Sequence, residues 1–194
     1  MLISKFDNTN IEEHIAAFEK GNNITLPEEY KRFLLKYNGG RTPKTKFKIN
    51  KVSSDVRGFY GLGNVDEDFN FQKLIDNMNM LEEFIEDSML PIATTDFGDY
   101  ITIGIAKEEN GCVFFRYHDR GKKYIKLMDT LSEFADKCKS EEIGHIRTVD
   151  ERKLNLIERG KAANITEGII KVWQREIDLY ANIHQEEFEL YEGE

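Results

Sequence analysis

The sequence predicts an α+β chain, and three observations predict it. Residues 10–40 repeat their apolar side chains at helical spacing. Residues 89–128 hold four short apolar runs separated by turn residues, the signature of an antiparallel meander. Residues 141–194 return to helical spacing and lack strand signals.

The elements follow in order. In NIEEHIAAFEK, Ile11, Ile15 and Phe18 share one helical face, with Asn10 as the expected N-cap and Gly21 as the stop. In LPEEYKRFLLKYNGG, Pro27 suits a first helical turn, and Glu28 and Glu29 complement the positive helix start. Tyr30, Phe33, Leu34 and Tyr37 recur at helical spacing, and Asn38-Gly39-Gly40 ends the run. Phe47 and Ile49 alternate with lysines, as in a half-exposed strand, and VRGFYGLG reads as a strand entering a glycine-rich bend. Residues 69–86 suggest two short helices carrying Phe71, Leu74, Ile75, Leu81, Phe84 and Ile85. The strands MLPIAT, YITIGIA, CVFFRY and YIKLM come next, then a helix from TLSEFADKC with Leu131, Phe134 and Ala135 inward. The tail predicts a helix over 149–159 and a longer one entered at Asn164, with Ile169, Trp173, Ile177 and Tyr180 in one stripe. A last short helix is expected to hold Phe188 and Tyr191. The chain therefore divides into an α+β domain, 1–140, and an acidic helical extension, 141–194, expected to pack on it.

Charge narrows the function. The chain has 194 residues and a net charge of −9. An acidic surface repels nucleic acid and anionic lipid, and it favours a basic protein partner. Cys112 and Cys138 are too few for a disulfide scaffold and read as reduced thiols. The N-terminus has no basic stretch followed by an apolar run, and no apolar stretch reaches membrane-spanning length, so a cytoplasmic location is expected.

Candidate chemistry is thin. Asp96 and Asp99 flank Gly98 between two apolar runs. A calcium loop needs six to eight oxygens, and this segment supplies two carboxylates before a strand begins. A hairpin turn explains the pattern better: Asp caps backbone N–H groups and Gly98 accepts a positive φ. Paired carboxylates for glycosidic hydrolysis remain a minor alternative. His14, His118, His145 and His184 are too scattered to form a helical metal pair. The glycines of GFYGLGN lack the lysine and helix of a phosphate loop. No metal or cofactor is expected. Asp66-Glu67-Asp68, Glu82-Glu83, Asp87 and Glu141-Glu142 read as solvated faces or as a recognition surface for a basic protein.

The order of these motifs resembles a known family. LPEEYKRFLLKYNGG (26–40) looks like the first signature of the SUKH superfamily, the group of Smi/Knr-type cell-wall regulators and bacterial immunity proteins. LPIATTDFGDYITI (90–103) resembles its second, and CVFFRYHD and DTLSEFA follow in order. The matching fold-signature residues are Leu26, Pro27, Tyr30, Phe33, Gly39, Gly40, Pro91, Gly98 and Asp99. The resemblance implies helices packed around a strongly bent antiparallel sheet. It implies no enzymatic activity, and Asp99 would tie down a bent hairpin. It also implies an immunity protein that occludes a cognate toxin, which the acidity suggests is basic, such as a nuclease; the alternative is a regulatory scaffold without a toxin partner. The expected contact residues are Tyr60, Asp66, Glu67, Asp68 and Glu83, in a monomer or weak homodimer with no direct contact to nucleic acid or membrane.

Overall fold

The computed structural model describes residues 1–76, 80–181 and 183–190. Its elements in chain order are β1 (Leu2–Lys5), α1 (Ile11–Asn22), α2 (Glu28–Tyr37), β2 (Gly40–Ile49), β3 (Val52–Phe59), α3 (Phe71–Asp76), α4 (Met80–Glu86), β4 (Met89–Thr94), β5 (Tyr100–Gly104), β6 (Val113–Arg116), β7 (Tyr124–Met128), α5 (Leu131–Lys137), β8 (Lys139–Ser140), α6 (Val149–Glu158), α7 (Glu167–Tyr180) and β9 (Glu186–Glu187). Among the described residues nine strands form one antiparallel sheet in the order β7-β6-β5-β4-β3-β2-β1-β9, with β8 beside β2. The sheet curls without closing. The α+β class is as the sequence predicts.

The chain divides into two compact units. One joins Met1–Glu141 to the segment from Gln185 onward, and the other spans Glu142–His184.

The first unit has a continuous core. Ile11, Ile15 and Phe18 of α1 are buried, as are Tyr30, Phe33, Leu34 and Tyr37 of α2. Phe33 touches the rings of Tyr30, Tyr37 and Phe59. β2 alternates buried Thr45, Phe47 and Ile49 with exposed Lys44, Lys46 and Lys48. Every residue of β4 is buried. Pro91 sits in this central strand without cost because a bulge between Pro91 and Ala93 breaks the ladder to β5 there.

Local details depart from sequence expectation. Gly21 lies inside α1, and Asn23 in the left-handed conformation ends it. Asn10 precedes the helix with φ 57° and makes no side-chain cap. Pro27 stands just ahead of α2, where its carbonyl accepts from the Lys31 N–H at 3.0 Å. Glu29 does more than complement its own helix. Its carboxylate accepts from the N–H groups of Leu131 and Ser132 at 2.9 and 3.1 Å. It thus caps α5 from about a hundred residues away, joining the first motif to the last.

In the second unit, Thr148 and Glu151 form a reciprocal capping box at the start of α6. Thr166, rather than Asn164, caps α7. Arg152 pairs with Glu176 at 2.6 Å and lies over the Trp173 ring at 6.0 Å. The expected stripe of Ile169, Trp173, Ile177 and Tyr180 is half-buried, and neither helix contains a buried residue. This unit holds seven acidic and seven basic residues, so it is neutral. Apart from Glu141, the acid excess of the tail lies in the last ten residues, which carry five glutamates and no base.

The expected last helix is instead strand β9, paired antiparallel to β1. Phe188 follows and stacks on Tyr37 with ring centroids 5.5 Å apart. The Tyr37 hydroxyl accepts from the Glu189 N–H at 2.9 Å. A two-residue strand has too little pattern to read from sequence, and its pairing supplies the missing signal. Tyr191 and the side chain of Ile75 lie outside the described residues.

Candidate functional site

The loop after β3 is held from beneath by the first motif. Asn38 ends α2 with φ 49°. Its amide nitrogen donates to the carbonyls of Asp7 and Leu62 at 2.6 and 2.9 Å, and its oxygen accepts from the Leu62 N–H at 2.9 Å. Gly39 has φ +80°, and a Cβ there would stand 2.7 Å from the Tyr60 backbone. The Asn-Gly pair therefore serves two needs, a left-handed helix exit and close approach of the loop. Tyr60, expected as a contact residue, is only 5% exposed and packs on Phe71 at 5.6 Å. Burial pushes its phenol well above the usual range. It is a core residue, because Gly39 leaves room for the loop to lie flat on α2.

Asp66, Glu67 and Asp68 are presented by the next turn, pinned by buried Phe69. None of the three is a bare charge. Asp66 accepts from the Asp68 N–H at 3.0 Å and from Arg41 Nε at 2.9 Å. Burial pushes its carboxyl up, but the Arg41 and Asp68 hydrogen bonds outweigh it and hold the acid below the usual range. Asp68 pairs with Arg57 at 2.6 Å, and Lys73 lies 3.5 Å from Glu67 and 3.8 Å from Asp68. Glu67 remains the most exposed of the three acids.

Arg57 links this loop to the β4–β5 turn. Its guanidinium lies over the Phe69 ring at 5.1 Å and approaches Asp96 at 3.9 Å. Within the turn the capping side chain is Thr95 and not Asp96 or Asp99. Thr95 Oγ1 accepts from the N–H groups of Phe97 and Asp99 at 3.2 and 3.0 Å. Gly98 has φ +81° with open space around it, so the conformation alone requires glycine. Asp99 is buried and reaches across to the next turn, where Oδ1 accepts from the His118 backbone N–H at 3.0 Å and meets His118 Nδ1 at 2.8 Å. It ties two hairpins together, a contact that local spacing cannot reveal.

Phe97 stands at the tip of this rigid turn, 71% exposed. Sequence reasoning passed over it, although an aromatic flanked by Asp and Gly in a tight turn has little to pack against. Around it the structure gathers Asp96, Arg57, Asp68 and Asp55. Asp55 Oδ1 accepts from the Asp96 N–H at 2.8 Å. Burial raises the Asp55 carboxyl, the Asp96 N–H partly offsets this, and the charges of Asp96 and Asp99 raise it further.

Glu83 belongs to a different cluster. It pairs with Arg116 at 2.7 Å, and Arg116 lies 4.4 Å over the Phe84 ring. Tyr124 donates to Asp87 at 2.9 Å in the same cluster. On the other flank of the acidic loop, a groove of about 540 Å³ separates α1 from residues 62–72, lined by His14, Phe18, Leu62, Gly63, Asn70 and Phe71. Among the described residues no group of three or more His, Cys, Asp or Glu is placed to hold a metal ion. No helix among them is long and apolar enough to cross a membrane.

The arrangement offers an aromatic anchor beside fixed, mostly acidic side chains, which suits protein contact. No curated protein and no solved structure matches the chain. Residues 11–137 match the SMI1 / KNR4 family (SUKH-1), a span from the first turn of α1 to the end of α5 that takes in the Asn38–Gly39 clamp, the Glu29 cap and the Asp99 tie, and the chain belongs to that family.

Proposed function

We propose that this protein is a non-catalytic immunity protein that neutralises a basic cognate toxin by stoichiometric occlusion. Family membership supports a protein-interaction or immunity-type role in general. The observation that carries the finer reading is Phe97, held exposed on a turn fixed by Thr95 and flanked by acids. Rigid aromatic side chains anchor interfaces at low entropic cost, and the surrounding charges steer the encounter. In this mechanism Glu67, Asp68 and Asp96 meet a basic groove, such as the nucleic-acid groove of a nuclease, and Phe97 fills its centre. Arg57 holds Asp68 and Asp96 in register. Tyr60 has no direct contact in this scheme and Glu83 lies outside it.

The test is capture of the partner from the native host with the tagged chain at low and high salt, followed by co-expression rescue. One basic protein at near-equal stoichiometry, toxic alone and harmless with this chain, supports the proposal. Phe97→Ala is then expected to weaken capture by about 2 kcal/mol or more. Recovery of several partners, none of them toxic, favours the regulatory scaffold. Unchanged capture by Phe97→Ala removes the β4–β5 turn from the interface.

A further inference from the structure

The chain is acidic overall, yet one sheet face is basic. Lys44, Lys46 and Lys48 project from the exposed side of β2, and Lys51 stands in the turn to β3. β8 places Lys139 directly opposite Lys46, and Lys139 is exposed too. Like charges directly opposite each other across two strands are destabilising. Among the described residues none of Lys46, Lys48, Lys51 and Lys139 makes an ion pair. The acids beside it are Asp55, opposite Lys46 on β3, Asp96, whose backbone N–H donates to Asp55 Oδ1 at 2.8 Å, and Glu141, whose backbone N–H donates to the Lys44 carbonyl at 3.2 Å. A second observation concerns the edge. β8 pairs only with Thr45 and Lys46, so Phe47–Ile49 are paired to β3 alone. An edge with unpaired backbone groups accepts an added extended strand.

We propose that this lysine face and the adjoining β2 edge dock an extended acidic segment of a partner protein. The charges select the partner's sign, and the open edge selects its shape. A nucleic acid fits less well. It has no backbone N–H and C=O groups to pair with the Phe47–Ile49 edge. This face adjoins the Phe97 turn through Asp55, which lies opposite Lys46 and accepts from the Asp96 N–H, but its docking role needs no toxin.

The experiment is fluorescence anisotropy of a labelled polyglutamate peptide titrated with the full chain at low salt. An oligothymidylate of similar length and phosphatidylserine vesicles serve as the competing probes. Two variants are compared with the parent, Lys46→Gln/Lys48→Gln/Lys139→Gln and the milder Lys48→Gln/Lys51→Gln. The expected result is peptide binding that weakens by about tenfold in the triple variant, and less in the double. Binding should also fall as salt is raised. The triple variant should keep or raise its thermal midpoint, since it removes the Lys46–Lys139 repulsion. Loss of binding together with retained stability separates a docking role from a structural one. No peptide binding, binding unchanged in both variants, or tighter binding of oligothymidylate or vesicles than of peptide would overturn the proposal.

Discussion

Helices α2 and α7 carry the same kind of stripe and meet opposite fates. α2 presents Tyr30, Phe33, Leu34 and Tyr37, and all four are fully buried. α7 presents Ile169, Trp173, Ile177 and Tyr180, and none is. Elsewhere in the second unit Leu154, Ile157, Val172 and Leu179 are at least half exposed. Periodicity tells which side of a helix is apolar; it does not tell what covers that side. The first unit is locked by long-range ties such as Glu29 to α5 and Asp99 to His118. The second rests on local caps and on pairs at short sequence separation, such as Arg152 to Glu176 and Lys153 to Asp150. Helices held by local interactions alone are marginal in water.

The largest expected effect breaks this contrast at its centre. Phe33→Ala should cost about 3–5 kcal/mol, read as a shift in the denaturant midpoint of the far-UV signal. Trp173→Ala should cost under about half of that, because its site is only half-buried. Trp173 is the sole tryptophan, so its fluorescence reports the second unit. Its transition is expected at lower denaturant than the far-UV transition in the parent chain. Coincident transitions would show that the two units unfold as one.

Next come the caps. Glu29→Gln weakens charge-assisted bonds to the start of α5 and should cost about 2 kcal/mol in the first unit. Thr148→Ala removes a local cap from α6, should cost about 1 kcal/mol, and should move only the tryptophan signal. Equal movement of both signals by either variant would erase the distinction between distant and local ties.

Acid titration sharpens the comparison within the first unit. The Asp66 carboxyl is held below its usual range, so its contribution is complete above the unfolded value, near pH 4, and fades as pH falls through the lower folded value. Asp66→Asn should flatten that acid limb. Asp55 has the opposite sign. Its raised carboxyl makes the charged form unfavourable at neutral pH, a penalty relieved as pH falls through the raised folded value. Asp55→Asn keeps an acceptor for the Asp96 N–H and removes the repulsion. It should leave stability at pH 7 unchanged or raise it by about 0.5 kcal/mol.

The smallest effect is chemical. Burial pushes the Cys138 thiol up to about 12, whereas Cys112 is half-buried. Native-state alkylation should label Cys112 first, and mass spectrometry would show it. Cys138 should react only on unfolding.

The legibility of this protein follows the range of its interactions. Helix and strand identities were readable because they depend on side-chain period, and α1, α2, the β4–β7 meander and α5 all show it. The turn at Gly98 was readable because positive φ is a property of one residue. The site was read only in part. Glu67 and Asp68 do lie on an accessible loop, but the neutralisation of their neighbour Asp66 by Arg41 joins residues 25 positions apart. Tyr60 read as a loop residue, and Phe97 read as part of a turn. Their burial is set by what packs beneath them.

The sequence by itself determined the α+β class, the order of elements, the apolar faces and the net charge, because these are sums or periods over neighbouring residues. Tertiary structure alone decided that Asp99 joins two hairpins, that β9 returns to β1, that Phe97 points outward, and that Lys46 faces Lys139. Each of those depends on which distant segments meet. A contact is a property of two positions in space, and a linear pattern records only one of them at a time.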